Sequence, residues 1–219
     1  MAERLAGEAP RLEELVSARY LRRGDIARAP RREPWALDEL AGRLVELCSG
    51  ESPARLSAAF ALLRDAQRRG DPAAWITRRC EAFYPPDAVE AGADLDALVV
   101  VRAPDAAAEL RAADRLIRSG AFGLLVIDLS GGGEREVRQG ELSRLLGLAR
   151  RHDAAVALIG EPGRSLGSLI SLRVEARREP VEPHEGQPAY QLAVGALKDK
   201  RRGPGWVWRE MCRGPDGLR

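Results

Sequence analysis

Residues 44–69, LVELCSGESPARLSAAFALLRDAQRR, contain the pattern that decides the fold. The run Leu44–Leu47 predicts a strand, a turn is expected at Ser49-Gly50, and the helical spacing of the apolar residues that follow predicts a helix from Pro53 to about Arg69. Proline suits the first helical turn because its missing N–H would have no partner there. A strand, a glycine turn and a helix in this order are typical of an α/β protein.

The same alternation continues along the chain. The further predicted strands are Ala74–Thr77, Leu98–Val101, Leu124–Ile127 and Ala155–Ile159, and helices are predicted over Pro104–Ser119 and from about Glu134 to Arg151. Short continuous apolar runs are typical of strands covered on both faces, and the helices are the crossovers that parallel pairing requires.

Beyond Gly160 the helical pattern stops. Three segments there resemble strands joined by turns, namely Ile170–Val174, Tyr190–Val194 and Trp206–Arg209. We therefore expect an α/β fold with an open, mostly parallel sheet, helices on both faces and antiparallel strands at the C-terminal end. Trp206 and Trp208 lie two residues apart, which puts both on one face of a strand, and we expect them to cover the core rather than form a partner site.

The chain divides into three predicted parts: an N-terminal helix and basic linker over residues 1–34, a core domain over 35–212, and a flexible tail over 213–219. The apolar residues that share one face of the N-terminal helix are Leu12, Leu15, Val16 and Tyr20. The basic, proline-containing stretch Arg28–Pro34 cannot hold a regular element. The apolar face must be buried on its own domain, which is the default, or on a neighbouring protomer.

Composition limits the classes of function. A chain of 219 residues can bury one sizeable core, and a net charge of +2 is too mild to identify a nucleic-acid binder. Cys48, Cys80 and Cys212 share no metal or redox spacing, and with only His152 and His184 available no zinc site is predicted. No apolar run approaches a membrane span and the N-terminus lacks a signal-peptide core, so the expected localisation is cytoplasmic.

The turn between the first predicted strand and its helix is where phosphate-binding loops occur, because a helix N-terminus presents unpaired N–H groups to an anion. Glu46, followed shortly by Gly50-Glu51-Ser52, resembles the start of the RecA phosphate loop, which runs glycine, proline, glutamate, serine, serine, glycine, lysine, threonine. With Glu51 and Ser52 in register, Ser49 replaces the first glycine, Ala54 the second, Arg55 the lysine and Leu56 the magnesium-binding hydroxyl.

Each replacement weakens nucleotide binding. Ala54 adds a Cβ where the backbone must approach a phosphate, Pro53 removes a donor N–H, and Leu56 cannot bind Mg²⁺. A register with Gly50 as the first glycine is no better, since Arg55 and Leu56 then replace the second glycine and the lysine. Arg55 could still hold an anion. The resemblance implies a degenerate phosphate loop, no nucleotide or metal cofactor, and a protein that is not an enzyme.

Other segments are similar to RecA in the same order. Residues 95–98, 117–121 and 126–128 resemble the third and fourth RecA strands and the helix between them, and Asp128 takes the position of the strand-end aspartate that orients the metal. The catalytic glutamate has no counterpart in Thr77–Cys80, with Glu81 nearby but out of register. The glutamine that senses the γ-phosphate is replaced around Gly160-Glu161.

The segments implied to contact DNA are also altered. The second DNA-binding loop of RecA is reduced to residues 162–168, and the resemblance returns at 171–174 and 198–200. In RecA filaments the lysines that match Lys198 and Lys200 reach the nucleotide of the neighbouring subunit. We expect non-specific contact with the DNA backbone through Arg164, Lys198, Lys200, Arg201 and Arg202. The alternative is that this basic run is only a solvated turn.

Over residues 35–212 these motifs identify a RecA-like protein, and its shortness and broken loop resemble the ImuA family. These are accessory proteins of the damage-inducible (SOS) mutagenesis cassette in translesion synthesis. The resemblance implies DNA and an inactive Y-family polymerase homologue as partners, with RecA and a small homo-oligomer as further candidates. In RecA the N-terminal helix docks on the adjacent subunit. Two alternatives remain: a cell-division inhibitor like SulA, and an ATPase with an atypical phosphate loop that uses Arg55.

Overall fold

The computed structural model describes residues 33–49, 54–78, 83–130, 137–160, 165–181 and 189–213. The strands in these ranges are β1 Leu44–Ser49, β2 Ala73–Arg78, β3 Leu98–Ala103, β4 Leu124–Asp128, β5 Ala155–Ile159, β6 Leu172–Pro180, β7 Ala189–Asp199 and β8 Val207–Arg213. The helices are α1 Leu37–Leu40, α2 Arg55–Arg68, α3 Pro85–Glu90, α4 Ala106–Arg118 and α5 Gln139–His152. The predicted N-terminal helix, with Leu12, Leu15, Val16 and Tyr20, lies outside the described residues.

The strands form one sheet in the order β3-β2-β4-β5-β1-β6-β7-β8. Strands β3 to β6 in this order pair in parallel, and β7 and β8 complete the sheet in antiparallel pairing. The predicted mostly parallel sheet with an antiparallel C-terminal end is therefore confirmed. Beyond β6 the connections pass directly from strand to strand, which antiparallel pairing allows.

Two apolar layers pack on the two faces of the sheet. On one face α2 buries side chains such as Leu62 against Trp75 of β2 and Val126 of β4. On the other face α4 and α5 bury side chains such as Ile117 and Leu145 against the sheet. Helices on both faces were predicted, because strands at the centre of such a sheet must bury both faces.

Local capping explains where α4 and α5 begin and end. The carboxylate of Asp105 accepts a hydrogen bond of 2.7 Å from the N–H of Ala108, which satisfies a donor of the first turn of α4. The Glu141 side chain accepts from the N–H of Arg138 at the start of α5. That helix ends at Asp153, whose φ of 53° turns the chain out of the helical direction.

Several predicted boundaries were wrong. Helix α5 begins at Gln139 rather than near Glu134, and α3 was not predicted. Strands β6 and β7 extend well beyond the predicted segments because Ala176–Pro180 and Tyr190–Val194 pair with each other. Their polar alternation is typical of a sheet face open to water, whereas the prediction relied on continuous apolar runs.

The prediction that all the apolar runs are covered on both faces was wrong for β3. This strand is at the edge of the sheet and pairs only with β2, and the Val99 side chain is 45% exposed. A run of valines fits an edge strand as well as a central one, and the order of strands decides between them. None of the helices in the described ranges is long and apolar enough to span a membrane.

Trp206 and Trp208 cover the core, as predicted. Both are partly buried against the apolar layer under α2. The indole N–H of Trp206 donates to Oδ2 of Asp199 at 3.0 Å, and that of Trp208 donates to Oε2 of Glu33 at 2.9 Å. Trp206 precedes β8 instead of lying within it.

Candidate functional site: the degenerate phosphate loop and the adjoining lysines

The start of α2 lies at the carboxyl ends of the parallel strands, where open α/β sheets bind their ligands. Strands β4, β5 and β1 are neighbours in the sheet, so Asp128, Gly160 and Ser49 follow or end adjacent strands at this edge. Gly50, Glu51 and Ser52 of the predicted loop lie outside the described residues. The structure places Ala54, Arg55 and Leu56, at the beginning of α2, beside this edge.

The Arg55 side chain is bonded within the protein. Its Nη1 donates a hydrogen bond of 2.5 Å to the carbonyl oxygen of Gly160, the residue after β5. In a phosphate loop the cation at this position would contact phosphate oxygens. Here it joins the first turn of α2 to the chain that leaves β5.

The two neighbours of Arg55 also offer little to a nucleotide. The N–H of Ala54 donates to the carbonyl oxygen of Ala176 in β6 at 3.1 Å, and the Ala54 side chain is buried in the core. Leu56 is 41% exposed and has no oxygen that could bind Mg²⁺. An N–H used by β6 and an apolar side chain replace the donor and the hydroxyl of a working loop.

Asp128 lies at the end of β4, where the sequence comparison put it. It is nearly buried, and its Oδ1 accepts hydrogen bonds from the N–H of Ser130 at 3.0 Å and from the Ser130 hydroxyl at 2.6 Å. These contacts are those of an aspartate that stabilises the turn after a strand. A role for Asp128 in orienting a metal stays a prediction.

Beside Asp128, the end of β2 carries a buried hydroxyl. Ile76 pairs with Ile127, so Thr77 and Asp128 are the next residues of neighbouring strands. Thr77 is fully buried, and in the described part of the chain its hydroxyl has no hydrogen-bond partner. Within the same residues no group of three or more His, Cys, Asp or Glu side chains could hold a metal ion.

Glu46 is a buried carboxylate between the two stems of the segment 161–164. Its Oε1 accepts from the N–H of Leu166 at 3.2 Å, and its Oε2 is 3.6 Å from Nε of Arg173. Gly160 packs beside it, since a Cβ at that position would be 3.4 Å from Oε1 of Glu46. Burial raises the pKa of Glu46 and outweighs the opposing effect of Arg173.

Lys198 and Lys200 contact the segment that follows residues 161–164. Nζ of Lys198 donates to the carbonyl oxygen of Gly167 at 3.3 Å, and Nζ of Lys200 donates to that of Ser168 at 2.7 Å. Burial, with the neighbouring charge of Lys200, lowers the pKa of Lys198. One such bond leaves two ammonium protons for other acceptors. Arg164, which we predicted to join these lysines, lies outside the described residues.

Arg201 and Arg202 are exposed but contact the region of α1. The two terminal nitrogens of Arg201 donate to the carbonyl oxygens of Glu39 and Ala41, each at 3.0 Å. Arg202 forms an ion pair with Glu39, with its Nε 3.2 Å from Oε2 and its Nη2 3.0 Å from Oε1. The structure therefore brings all four predicted cations to one turn and gives each an internal partner.

Under this turn lies an ion pair that the sequence did not reveal. Nη2 of Arg43 is 2.6 Å from Oδ1 of Asp199, and both side chains are at most 3% exposed. Asp199 also accepts from the N–H of Arg201 and from the indole of Trp206. Burial opposes its ionisation, but these hydrogen bonds outweigh burial and lower the pKa of Asp199. The signal in the sequence was an aspartate inside a basic run.

Comparison with known proteins gives the same relationship as the motifs. Residues 39–143 match the RecA N-terminal domain family. The RecA protein of Bifidobacterium breve is 38% identical over 87 residues, which are 40% of this chain and 22% of that protein. The RecA proteins of Amycolatopsis mediterranei and of a Nocardioides species are 39% and 40% identical over segments that cover 25% of each. In each case the segment is 40% of this chain. The matched segment thus spans at most about a quarter of these relatives.

Proposed function

We propose that this chain, a member of the RecA-like superfamily, is a non-hydrolysing accessory protein of damage-induced mutagenesis that binds DNA and protein partners. The setting is an ImuA-type cassette in translesion synthesis, with an inactive Y-family polymerase homologue as partner and RecA as a further candidate. The observation that carries the proposal is the hydrogen bond from Arg55 to the carbonyl oxygen of Gly160.

Phosphoryl transfer depends on backbone donors, a lysine and a metal-binding hydroxyl that together hold the phosphates and Mg²⁺. In this chain the cation of Arg55 is bonded to Gly160, and the N–H of Ala54 is bonded to Ala176. At the position of the hydroxyl, Leu56 offers only a hydrocarbon. These three features support a protein that works without turning over ATP.

The surroundings of residues 161–164 support a DNA contact that needs no nucleotide. Gly160, before this segment, is bonded to Arg55, and Leu166, after it, is bonded to Glu46. Lys198 and Lys200 then hold the carbonyl groups of Gly167 and Ser168. Side chains of the same chain thus hold both ends of the segment that matches the second DNA-binding loop of RecA.

The first test is magnesium-dependent ATP turnover by the purified chain, together with DNA affinity in the presence and absence of ATP. We expect no turnover and the same dissociation constant in both conditions. The triple variant Ala54→Gly, Arg55→Lys, Leu56→Thr, which restores the loop chemistry, is the matched comparison. Turnover by the natural chain that disappears in Arg55→Ala would contradict the proposal.

The second test is co-purification of partners from damage-induced cells. Recovery of the polymerase homologue of the cassette supports the mutagenesis role. Recovery of septum proteins alone would favour the cell-division alternative, and recovery of recombination proteins alone would assign the chain to recombination.

A further inference from the structure

A groove of about 340 Å³ lies between α4 and α5, on the sheet face opposite α2. Ala107, Leu110 and Leu145 provide an apolar floor, and the two leucines belong to the buried core. Arg111, Arg115 and Arg144 form its rim. The groove therefore combines an apolar floor with a cationic border.

The rim arginines are accessible. The side chains of Arg111 and Arg144 are 63% and 61% exposed. Arg111 has only a long contact of 3.9 Å to Asp105, and Arg115 is exposed and forms no ion pair with any residue that the structure describes. These guanidinium groups can thus pair with carboxylates of another molecule, which their planar forks bind in a bidentate manner.

Asp114 holds the groove in shape. Nε of Arg144 is 2.6 Å from Oδ1 of Asp114 and its Nη2 is 3.1 Å from Oδ2, while Nε of Arg118 is 2.8 Å from Oδ2. The contact to Arg144 joins α5 to α4 and orients one rim arginine before any partner arrives. A pre-ordered side chain loses less entropy on binding, which favours association.

We infer that this groove docks an acidic amphipathic helix of a partner protein. An apolar stripe of such a helix would cover Leu110 and Leu145, and its flanking carboxylates would pair with Arg111 and Arg115. A nucleic-acid backbone would use the arginines but leave the apolar floor uncovered. The inference deepens the partner-binding part of the proposed function and rests on it there.

The amphipathic stripe in residues 1–32 of a second copy is a poorer complement to this rim. That stretch contains eight arginines against five carboxylates, so its net charge has the same sign as the rim. Charge complementarity therefore favours a different, acidic partner.

The test uses the full chain and a fluorescent peptide of about 16 residues, built from Leu, Ala, Glu and Asp with leucines on one helical face. A scrambled peptide of the same composition is the peptide control. We expect the patterned peptide to bind about tenfold more tightly than the scrambled one, and Arg111→Glu/Arg115→Glu to weaken it by about tenfold or more. Arg150→Glu/Arg151→Glu, which reverses two exposed charges of α5 outside the groove, should leave binding unchanged.

Equal binding of the two peptides would overturn the inference, as would unchanged binding by Arg111→Glu/Arg115→Glu. Displacement of the peptide by a DNA oligonucleotide that itself requires Arg111 and Arg115 would assign the groove to nucleic acid instead. Displacement by a peptide of residues 8–24 would assign it to a second copy. DNA affinity through the Lys198–Arg202 turn, measured on the same variants, separates failure of this inference from failure of the proposed function.

Discussion

Arg55, in the first turn of α2, donates a hydrogen bond from Nη1 to the carbonyl oxygen of Gly160, which lies 105 residues further along the chain. The side chain that a phosphate loop would present to a nucleotide is therefore bonded to the protein's own backbone. This contact stabilises the edge of the sheet where β5 ends.

Replacing Arg55 with alanine should lower the free energy of unfolding by about 1–2 kcal/mol, because a charged donor to a partly buried carbonyl is lost. Urea denaturation followed by circular dichroism measures this change. Arg68→Ala, at the exposed end of the same helix, is the control and should change stability by less than about 0.5 kcal/mol. Equal effects of the two substitutions would show that the contact to Gly160 contributes nothing.

The Arg43–Asp199 pair should make stability depend on pH in the acid range. The pKa of Asp199 is lowered in the folded chain, so its stabilising contribution is complete above the ordinary aspartate value of about 3.9. As the pH falls below that value toward the folded pKa, the contribution is lost. In Asp199→Asn this part of the pH dependence should disappear.

Urea denaturation between about pH 2.5 and 7 tests this prediction, with Asp96→Asn, an exposed carboxylate, as the matched control. At pH 7 Arg43→Met should cost about 3 kcal/mol or more, because it leaves Asp199 buried without its cation. If Asp199→Asn keeps the acid dependence of the natural chain, the pair does not act as described.

Glu46 should have the opposite pH dependence. Burial raises its pKa in the folded chain, so stability falls as the pH rises from the ordinary glutamate value of about 4.3 toward the folded pKa. Glu46→Gln removes this dependence and retains an acceptor for the N–H of Leu166. Glu46→Ala removes the acceptor as well and should cost about 1–3 kcal/mol. Unfolding of both variants at a series of pH values distinguishes loss of charge from loss of the hydrogen bond.

DNA affinity should depend steeply on salt, and the side chains of the Lys198–Arg202 turn should contribute unequally. Lys200→Ala should reduce the slope of log K against log salt by about 0.9 for duplex DNA. Arg202→Ala should reduce it less, because Arg202 is already paired with Glu39. The variant with Lys198, Lys200, Arg201 and Arg202 all changed to alanine should have the flattest slope.

Fluorescence anisotropy at several salt concentrations measures these slopes. Arg151→Ala, an exposed arginine of α5, is the control and should leave the slope unchanged. A quadruple variant with the slope of the natural chain would place the DNA surface elsewhere on the protein, or show that it does not exist.

The stripe of Leu12, Leu15, Val16 and Tyr20 stays a predicted assembly element. Burial of such a face on another copy, or on RecA, would contribute several kcal/mol at about 25 cal/mol per Å², before the cost of ordering the linker. A chain that begins at Arg28 should therefore have a lower sedimenting mass or bind RecA less than the full chain. Truncation that alters neither result would contradict an assembly role.

Much of the fold could be predicted because its strongest signals are local. Strands β1, β2, β4 and β5 are short apolar runs at the centre of the sheet, and such runs are recognisable wherever they occur. The edge position of β3 and the lengths of β6 and β7 could not be predicted. They depend on which strand lies beside each of them, and a local pattern contains no information about that neighbour.

The candidate site divides in the same way. The sequence by itself determined that Ala54, Arg55 and Leu56 lack the chemistry of a phosphate loop, because that loss follows from the identities of the residues. Only the tertiary structure decided that Arg55 bonds to Gly160 and that Arg43 pairs with Asp199, 105 and 156 residues apart. The physical reason is that hydrogen bonds and ion pairs depend on distances in space, and the packing of the whole sheet sets those distances.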